Sequence, residues 1–217
     1  MFVGHYGVSF GAKSVDRSIP LWVLFIAVQL LDVIWAPLVL LGVEKVRIVP
    51  GITATNPLDL YYMPYTHGLP AAIAWSCLGG LAYSFFFRPA SSRSSVIVAL
   101  AVFSHWILDF IVHRPDLPLY DNSAKVGLGL WNAPAIALAL EVVLLFGGMW
   151  LCFRGRLSQS IGTFVLGALM VALQSYIFFG PPPVSDKAAA WSAIVCYAAL
   201  AGAIWWMQDR KAAAGAS

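Results

Sequence analysis

Charged side chains are scarce in this chain of 217 residues. Asp, Glu, Lys and Arg make up only 11% of it, whereas 60% of the residues are hydrophobic and the mean hydropathy is +0.80. A soluble domain usually carries about a quarter charged residues to cover its surface. The composition therefore excludes an ordinary soluble domain and indicates an integral membrane protein.

Cysteine and clustered basic residues are also scarce. Cys77, Cys152 and Cys196 stand singly in apolar runs with no C-x-x-C spacing, which argues against a disulfide framework and a thiolate metal site. The net charge is only +3, and the Lys and Arg residues are scattered among loops. We therefore expect no nucleic-acid partner.

A leader-like cleavage site and an internal repeat are missing as well. No small-x-small site follows the first long apolar run, so we expect that run to stay in the membrane.

Six apolar runs approach the roughly 20 residues that a spanning helix needs. They cover residues 19–42, 69–87, 95–113, 133–153, 160–180 and 188–207.

These runs predict an all-α membrane bundle of about six spans. Residues 1–210 form one membrane domain in this interpretation, and the small residues of 211–217 form a disordered tail. The segment 1–13 is too short to cross and is expected to form a re-entrant or interfacial helix. Pro37 is expected to kink the first span.

The distribution of Lys and Arg predicts the orientation. One side receives eight of them and the other five, which by the positive-inside rule places both termini in the cytoplasm. The eight are Lys13, Arg17, Arg88, Arg93, Arg154, Arg156, Arg210 and Lys211, and the five are Lys45, Arg47, Arg114, Lys125 and Lys187. We expect membrane lipid around the protein.

One apolar segment carries ionisable residues at a helical spacing. His105, Asp109 and His113 follow one another at intervals of four, so a helix places them on one face. An unpaired carboxylate in hydrocarbon costs about 3 kcal/mol or more, which makes such residues functional candidates by default. His113 precedes Arg114 and Pro115, and its alternative interpretation is a residue that reaches the membrane interface.

Other ionisable residues are expected near this face. A rise of about 1.5 Å per residue places Asp32, His105, Asp109 and Glu141 in the outer half of the membrane, with His67 near the rim. A half-inserted segment 1–13 would bring His5 close to the same layer. Asp116 is expected to be a turn residue in the following loop.

Imidazole and carboxylate groups are ligands for zinc, iron or manganese. The sequence therefore predicts a centre for one or two divalent ions, most simply zinc. Its candidate ligands are His5, Asp32, His67, His105, Asp109 and His113. Glu141 is a candidate base, bridging ligand or supporting residue, and Asp109 is a second candidate for a catalytic role.

The order of these motifs resembles a known family. Gly4-His5, Leu31-Asp32, Tyr65-Thr66-His67 and Ser104-His105-x-x-x-Asp109, followed by a proline-rich loop, resemble the bacterial inner-membrane metal-dependent hydrolases of the LexA-regulated type. The order is also similar to that of the zinc-dependent phospholipase C and single-strand nuclease superfamily. The resemblance implies an all-helical fold, a location in a bacterial inner membrane, clustered zinc ions and hydrolysis of a phosphoester.

Three functions fit these observations. The first is a membrane-embedded metal-dependent hydrolase that acts on a lipid or lipid-linked phosphoester. The second is a proton- or metal-ion-coupled transporter or channel that uses the same buried Asp and His residues. The third is a membrane scaffold with a closed structural metal site.

Overall fold

The computed structural model describes residues 1–154 and 161–209. Within these ranges the chain forms eight α-helices and two small antiparallel hairpins. In chain order the elements are α1 (Val3–Val15), α2 (Leu21–Val28), α3 (Leu30–Leu40), β1 (Lys45–Ile48), β2 (Leu58–Tyr62), α4 (Leu69–Phe86), α5 (Ser92–Val112), β3 (Leu117–Tyr120), β4 (Ser123–Val126), α6 (Pro134–Phe153), α7 (Ile161–Phe179) and α8 (Asp186–Ile204).

Helices α4 to α8 are each long and apolar enough to cross a membrane, and α8 continues as one π-helical turn. Helices α2 and α3 pass the same test only as a pair, so the chain has up to six candidate spans. Large apolar side chains on α4 to α8 point outwards, among them Leu81, Leu100 and Val143. An outward apolar surface is what helices surrounded by lipid present. The all-α membrane bundle predicted from the sequence is confirmed.

The first span is broken at Gln29, between α2 and α3. Helices α2 and α3 meet at a bend of 53° around Gln29, whereas Pro37 lies inside α3 and the helix continues past it to Leu40. The break at Gln29 was not predicted, and the expected kink at Pro37 stays a prediction. Gln29 is fully buried, and its side-chain amide donates to the carbonyl of Phe2, which holds the break against the start of α1.

Helix α1 is inserted between other helices rather than lying on the surface. Its 13 residues span about 20 Å, too little to cross the roughly 30 Å hydrocarbon layer. It packs most closely on α6, where a Cβ on Gly7 would lie 2.2 Å from the carbonyl oxygen of Leu144 and one on Gly148 would lie 2.1 Å from that of Gly7. These two glycines let the helix backbones touch, as small residues do between membrane helices.

Loops and helix ends join at both ends of the bundle. At one end, Thr55 donates to the carbonyl of Trp131, and Lys125 donates to that of Tyr61, which ties the two hairpin regions together. At the other end, Ser94 donates to Asp16. The predicted tail 211–217, together with Arg156, Arg210 and Lys211 of the charge count, lies outside the described residues.

Candidate metal centre

All six predicted ligands meet in one cluster, although they come from three helices and the loops beside them. His5 lies on α1, Asp32 on α3, His67 between β2 and α4, and His105 and Asp109 on α5. The sixth, His113, directly follows the last residue of α5. The helical spacing along α5 was predicted correctly, and His113 is 3% exposed and turned inwards rather than towards the interface.

Asp109 lies at the centre of the cluster. One carboxylate oxygen, Oδ1, is 3.2 Å from Nε2 of His5. The other oxygen, Oδ2, faces three imidazoles, with Nε2 of His105 at 3.1 Å, of His113 at 3.5 Å and of His67 at 3.6 Å. A single carboxylate therefore lies within reach of all four histidines of the chain.

Asp32 supplies the second carboxylate. Its Oδ1 is 3.3 Å from Nε2 of His67 and 3.7 Å from Nε2 of His105. The side chain of Asp32 is 17% exposed, whereas those of the other five candidates are at most 4% exposed. Asp32 is thus the member of the cluster that can be reached most easily from outside.

The break in the first span orients His105. The last carbonyls of a helix have no partner within it, and Val28 is the last residue of α2. Its carbonyl oxygen lies 2.7 Å from Nδ1 of His105. Because a carbonyl can only accept, Nδ1 carries the hydrogen, and the lone pair of the neutral ring is on Nε2, which points at the carboxylates.

A hydroxyl and a buried carboxylate orient His67. Nδ1 of His67 is 2.8 Å from the hydroxyl of Thr66, which donates to Glu44 at 2.6 Å. Glu44 also accepts from the amides of Tyr65 and Thr66. Burial raises the pKa of the Glu44 carboxyl above its ordinary value, and these three donors act against that increase. The chain Glu44–Thr66–His67 fixes the ring with Nε2 towards the cluster.

Asp116 orients His113 in the same way. Its Oδ1 lies 2.8 Å from Nδ1 of His113, and its other oxygen faces Arg114 at 3.4 Å. Arg114 in turn bonds Asp59 on β2. The interpretation of Asp116 as a turn residue missed this contact. The spacing His113-x-x-Asp116 was the signal available in the sequence, since metal-bound histidines usually donate their second nitrogen to a carboxylate or carbonyl.

The spacing of the polar atoms fits shared metal ligands better than direct hydrogen bonds. Charge-assisted N–H···O bonds are about 2.7–2.9 Å long, and the contacts from Nε2 to the carboxylates are longer. Two ligands held tetrahedrally at about 2.0–2.1 Å from zinc lie about 3.3 Å apart. Two sets have ligand atoms within 4.8 Å of one another, His5 with His105 and Asp109, and Asp32 with His67 and His105.

Unpartnered atoms support the same conclusion. Among the described residues, the buried Nε2 atoms of His5 and His105 have no hydrogen-bond partner. The two rings are stacked with centroids 4.0 Å apart. A buried polar atom without a partner is costly, and a divalent cation would compensate both nitrogens at once. The residues present therefore fit one or two such ions.

Glu141 lies beside the cluster and supports the helix that carries His5. Its Oε2 accepts hydrogen bonds from the backbone amides of Phe2 and Gly4. Glu141 thus supplies an acceptor for amides at the start of α1 that have none within the helix. Its part as a catalytic base stays a prediction. No pattern in the sequence indicated Tyr197 on α8, whose hydroxyl donates to Oδ2 of Asp32 at 2.6 Å.

Comparison of the chain with protein-family models, with curated proteins and with solved structures finds no match. The resemblance drawn from the short motifs therefore stays a prediction, and the functional argument depends on the geometry of the cluster.

Proposed function

We propose that this protein is a membrane-embedded metal-dependent hydrolase that cleaves a phosphoester of a lipid or lipid-linked substrate. One observation carries the proposal: four imidazoles turn Nε2 towards two carboxylates inside a helical bundle. Three of those imidazoles are held at Nδ1 by Val28, Thr66 and Asp116. Such second contacts fix the tautomer and the ring orientation of a metal-binding histidine.

Each residue has a definite part in this proposal. His67, His105 and His113 present Nε2 lone pairs, and Asp109 contributes one oxygen on the side of His5 and one on the side of the other three. A bound divalent ion such as zinc supplies Lewis acidity, which lowers the pKa of water towards neutrality and polarises a phosphoryl oxygen. Asp32, held by Tyr197 and partly exposed, is the carboxylate placed to meet the incoming substrate.

The environment supports a lipid substrate. The cluster is enclosed by helices that are long and apolar enough to span a membrane, so a reactive group that reaches it is best carried by a membrane-soluble molecule. The phosphoester is suggested by the order of the motifs. The bias of eight basic residues against five supports an orientation with both termini in the cytoplasm. The resemblance of the motifs supports a bacterial inner membrane.

Hydrolysis can be tested with generic probes. Purified protein would be depleted of metal with a chelator, reloaded with zinc or manganese, and assayed with p-nitrophenyl phosphate and bis(p-nitrophenyl) phosphate. We expect release of p-nitrophenol that is lost on chelation, restored by metal and abolished in His105→Ala. Ser104→Ala is the matched control, because Ser104 neighbours His105 on α5 and bonds only its own helix in the contacts described, at the carbonyl of Ala101.

Two results would contradict the hydrolase. Metal-dependent flux across proteoliposomes that requires Asp32, without any hydrolysis of either probe, would favour the transporter. Stoichiometric bound metal, without metal-dependent hydrolysis of either probe, would favour the structural scaffold.

A further inference from the structure

A groove of about 620 Å³ lies beside the bent first span, between α2, α3 and α8. Phe25 and Ile26 line it from α2, Val33 and Pro37 from α3, and Trp205 from the turn after α8. Sites for small organic ligands usually measure about 300–1,000 Å³. The groove is therefore large enough for a ligand, and its walls are almost wholly apolar.

The groove and the metal centre share a wall. Tyr197 carries the only hydroxyl among the described residues that line the groove, and this hydroxyl donates to Oδ2 of Asp32. The other oxygen of Asp32 faces His67 and His105. Tyr197 therefore lies between the groove and Asp32, which is the most exposed of the six candidate ligands.

The position of the groove indicates its occupant. Both of its sides belong to helices that can span a membrane, and Ile26 and Trp205 are 37% and 50% exposed, so the groove is continuous with the surface that lipid covers. From Tyr197, which contacts Asp32, its residues on α8 and the following turn run to Trp205, a length of about 12 Å. An extended hydrocarbon chain matches both this length and the apolar lining.

We propose that this groove binds the hydrocarbon chain of a long-chain lipid phosphoester, with the phosphate at the Asp32 end beside Tyr197. The placement of the phosphate rests on the proposed function, whereas the binding of the chain does not. The groove thus selects substrates by chain length, and the metal centre acts on the head group.

The test compares hexadecyl phosphate with hexyl phosphate, which share one head group. Binding to the full chain in amphipol, free of detergent, would be measured by native mass spectrometry, with metal content determined on the same samples. Gly202→Phe fills the groove without a clash, since a Cβ at Gly202 meets nothing within 4 Å. Gly147→Phe on α6 is the matched control, because Gly147 is also exposed and also meets nothing within 4 Å.

We expect wild type and Gly147→Phe to bind hexadecyl phosphate at least about tenfold more tightly than hexyl phosphate, since the longer chain buries more apolar surface. Gly202→Phe should lose that preference while its metal content stays unchanged. Three results would overturn the proposal. They are equal binding of both probes by wild type, an unaltered chain-length preference in Gly202→Phe, and a wild-type dimer that becomes a monomer in Gly202→Phe. The last result would assign the groove to a second copy of the chain.

The two proposals can fail separately. A chain-length preference that disappears in Gly202→Phe supports the groove even if wild type holds no metal, and in that case the hydrolase alone is contradicted. Stoichiometric metal without any chain-length preference overturns the groove alone.

Discussion

Nδ1 of His105 donates to the carbonyl oxygen of Val28 at 2.7 Å, at the residue where the first span breaks. An unbroken helix would use that carbonyl for its own backbone hydrogen bond. The break therefore leaves the Val28 carbonyl free to accept from His105, and this hydrogen bond fixes the orientation of the imidazole. Irregular backbone within the membrane is tolerated where protein surrounds it.

Removal of Asp116 should weaken metal binding without removing a ligand. Asp116→Ala leaves Nδ1 of His113 without its acceptor, and loss of such supporting contacts typically costs about 10- to 100-fold in metal affinity. Competition with a metal-sensitive chelator dye would measure the change. Ser123→Ala in the neighbouring hairpin is the control, and an affinity of Asp116→Ala equal to that of the control would contradict the assignment.

The contact of α1 with α6 should depend on Gly7. A Cβ there would lie 2.2 Å from the carbonyl oxygen of Leu144, so Gly7→Ala must push α1 away and displace His5. We expect a lower melting temperature and a loss of bound metal. Gly11→Ala on the same helix meets nothing within 4 Å and should be neutral or stabilising, since alanine favours helix by about 1 kcal/mol over glycine. Similar effects of the two variants would disprove the close contact.

Glu141 distinguishes a helix cap from a general base. Glu141→Gln keeps a carbonyl oxygen that can accept from the amides of Phe2 and Gly4. We therefore expect the rate of p-nitrophenyl phosphate hydrolysis to fall less than about tenfold, whereas loss of a general base typically costs about 10²- to 10⁴-fold. A loss within that larger range, with metal content and melting temperature unchanged, would restore Glu141 to the role of base.

Asp16 gives a pH dependence outside the spanning helices. The hydroxyls of Ser18 and Ser94 donate to its carboxylate and lower its pKa below the ordinary value. A lowered folded-state pKa stabilises the fold above the unfolded pKa, and this stabilisation is lost as the pH falls through the folded value. Melting temperatures of wild type and Ser94→Ala should therefore differ near neutral pH and converge below about pH 4. A difference that grows on acidification would contradict this.

Local pattern was enough to predict the spans and the six residues that meet in the cluster. Long apolar runs identified the spanning helices, and the intervals between His105, Asp109 and His113 defined one face of α5. The energetic cost of charge in hydrocarbon then required partners for Asp32 and Asp109. Each of these inferences depends on residues that are close in sequence or on composition.

The supporting contacts depend on residues far apart in the chain. Tyr197 lies 165 positions from Asp32, and Val28 lies 77 positions from His105. The break lies at Gln29, whose side chain donates to the carbonyl of Phe2, 27 positions away, and no local signal in the sequence marks it. The two hairpins were not predicted, because their strands have only four or five residues each.

Metal content is the most direct test of the central claim that the six residues form a metal centre. Inductively coupled plasma mass spectrometry would give the metal-to-protein ratio of purified, zinc-equilibrated wild type, Ser104→Ala, His105→Ala and Asp109→Ala. We expect one or two zinc ions per chain in wild type and Ser104→Ala, and a clear loss in the other two variants. Correctly folded wild type with no bound zinc, manganese or iron would contradict the claim.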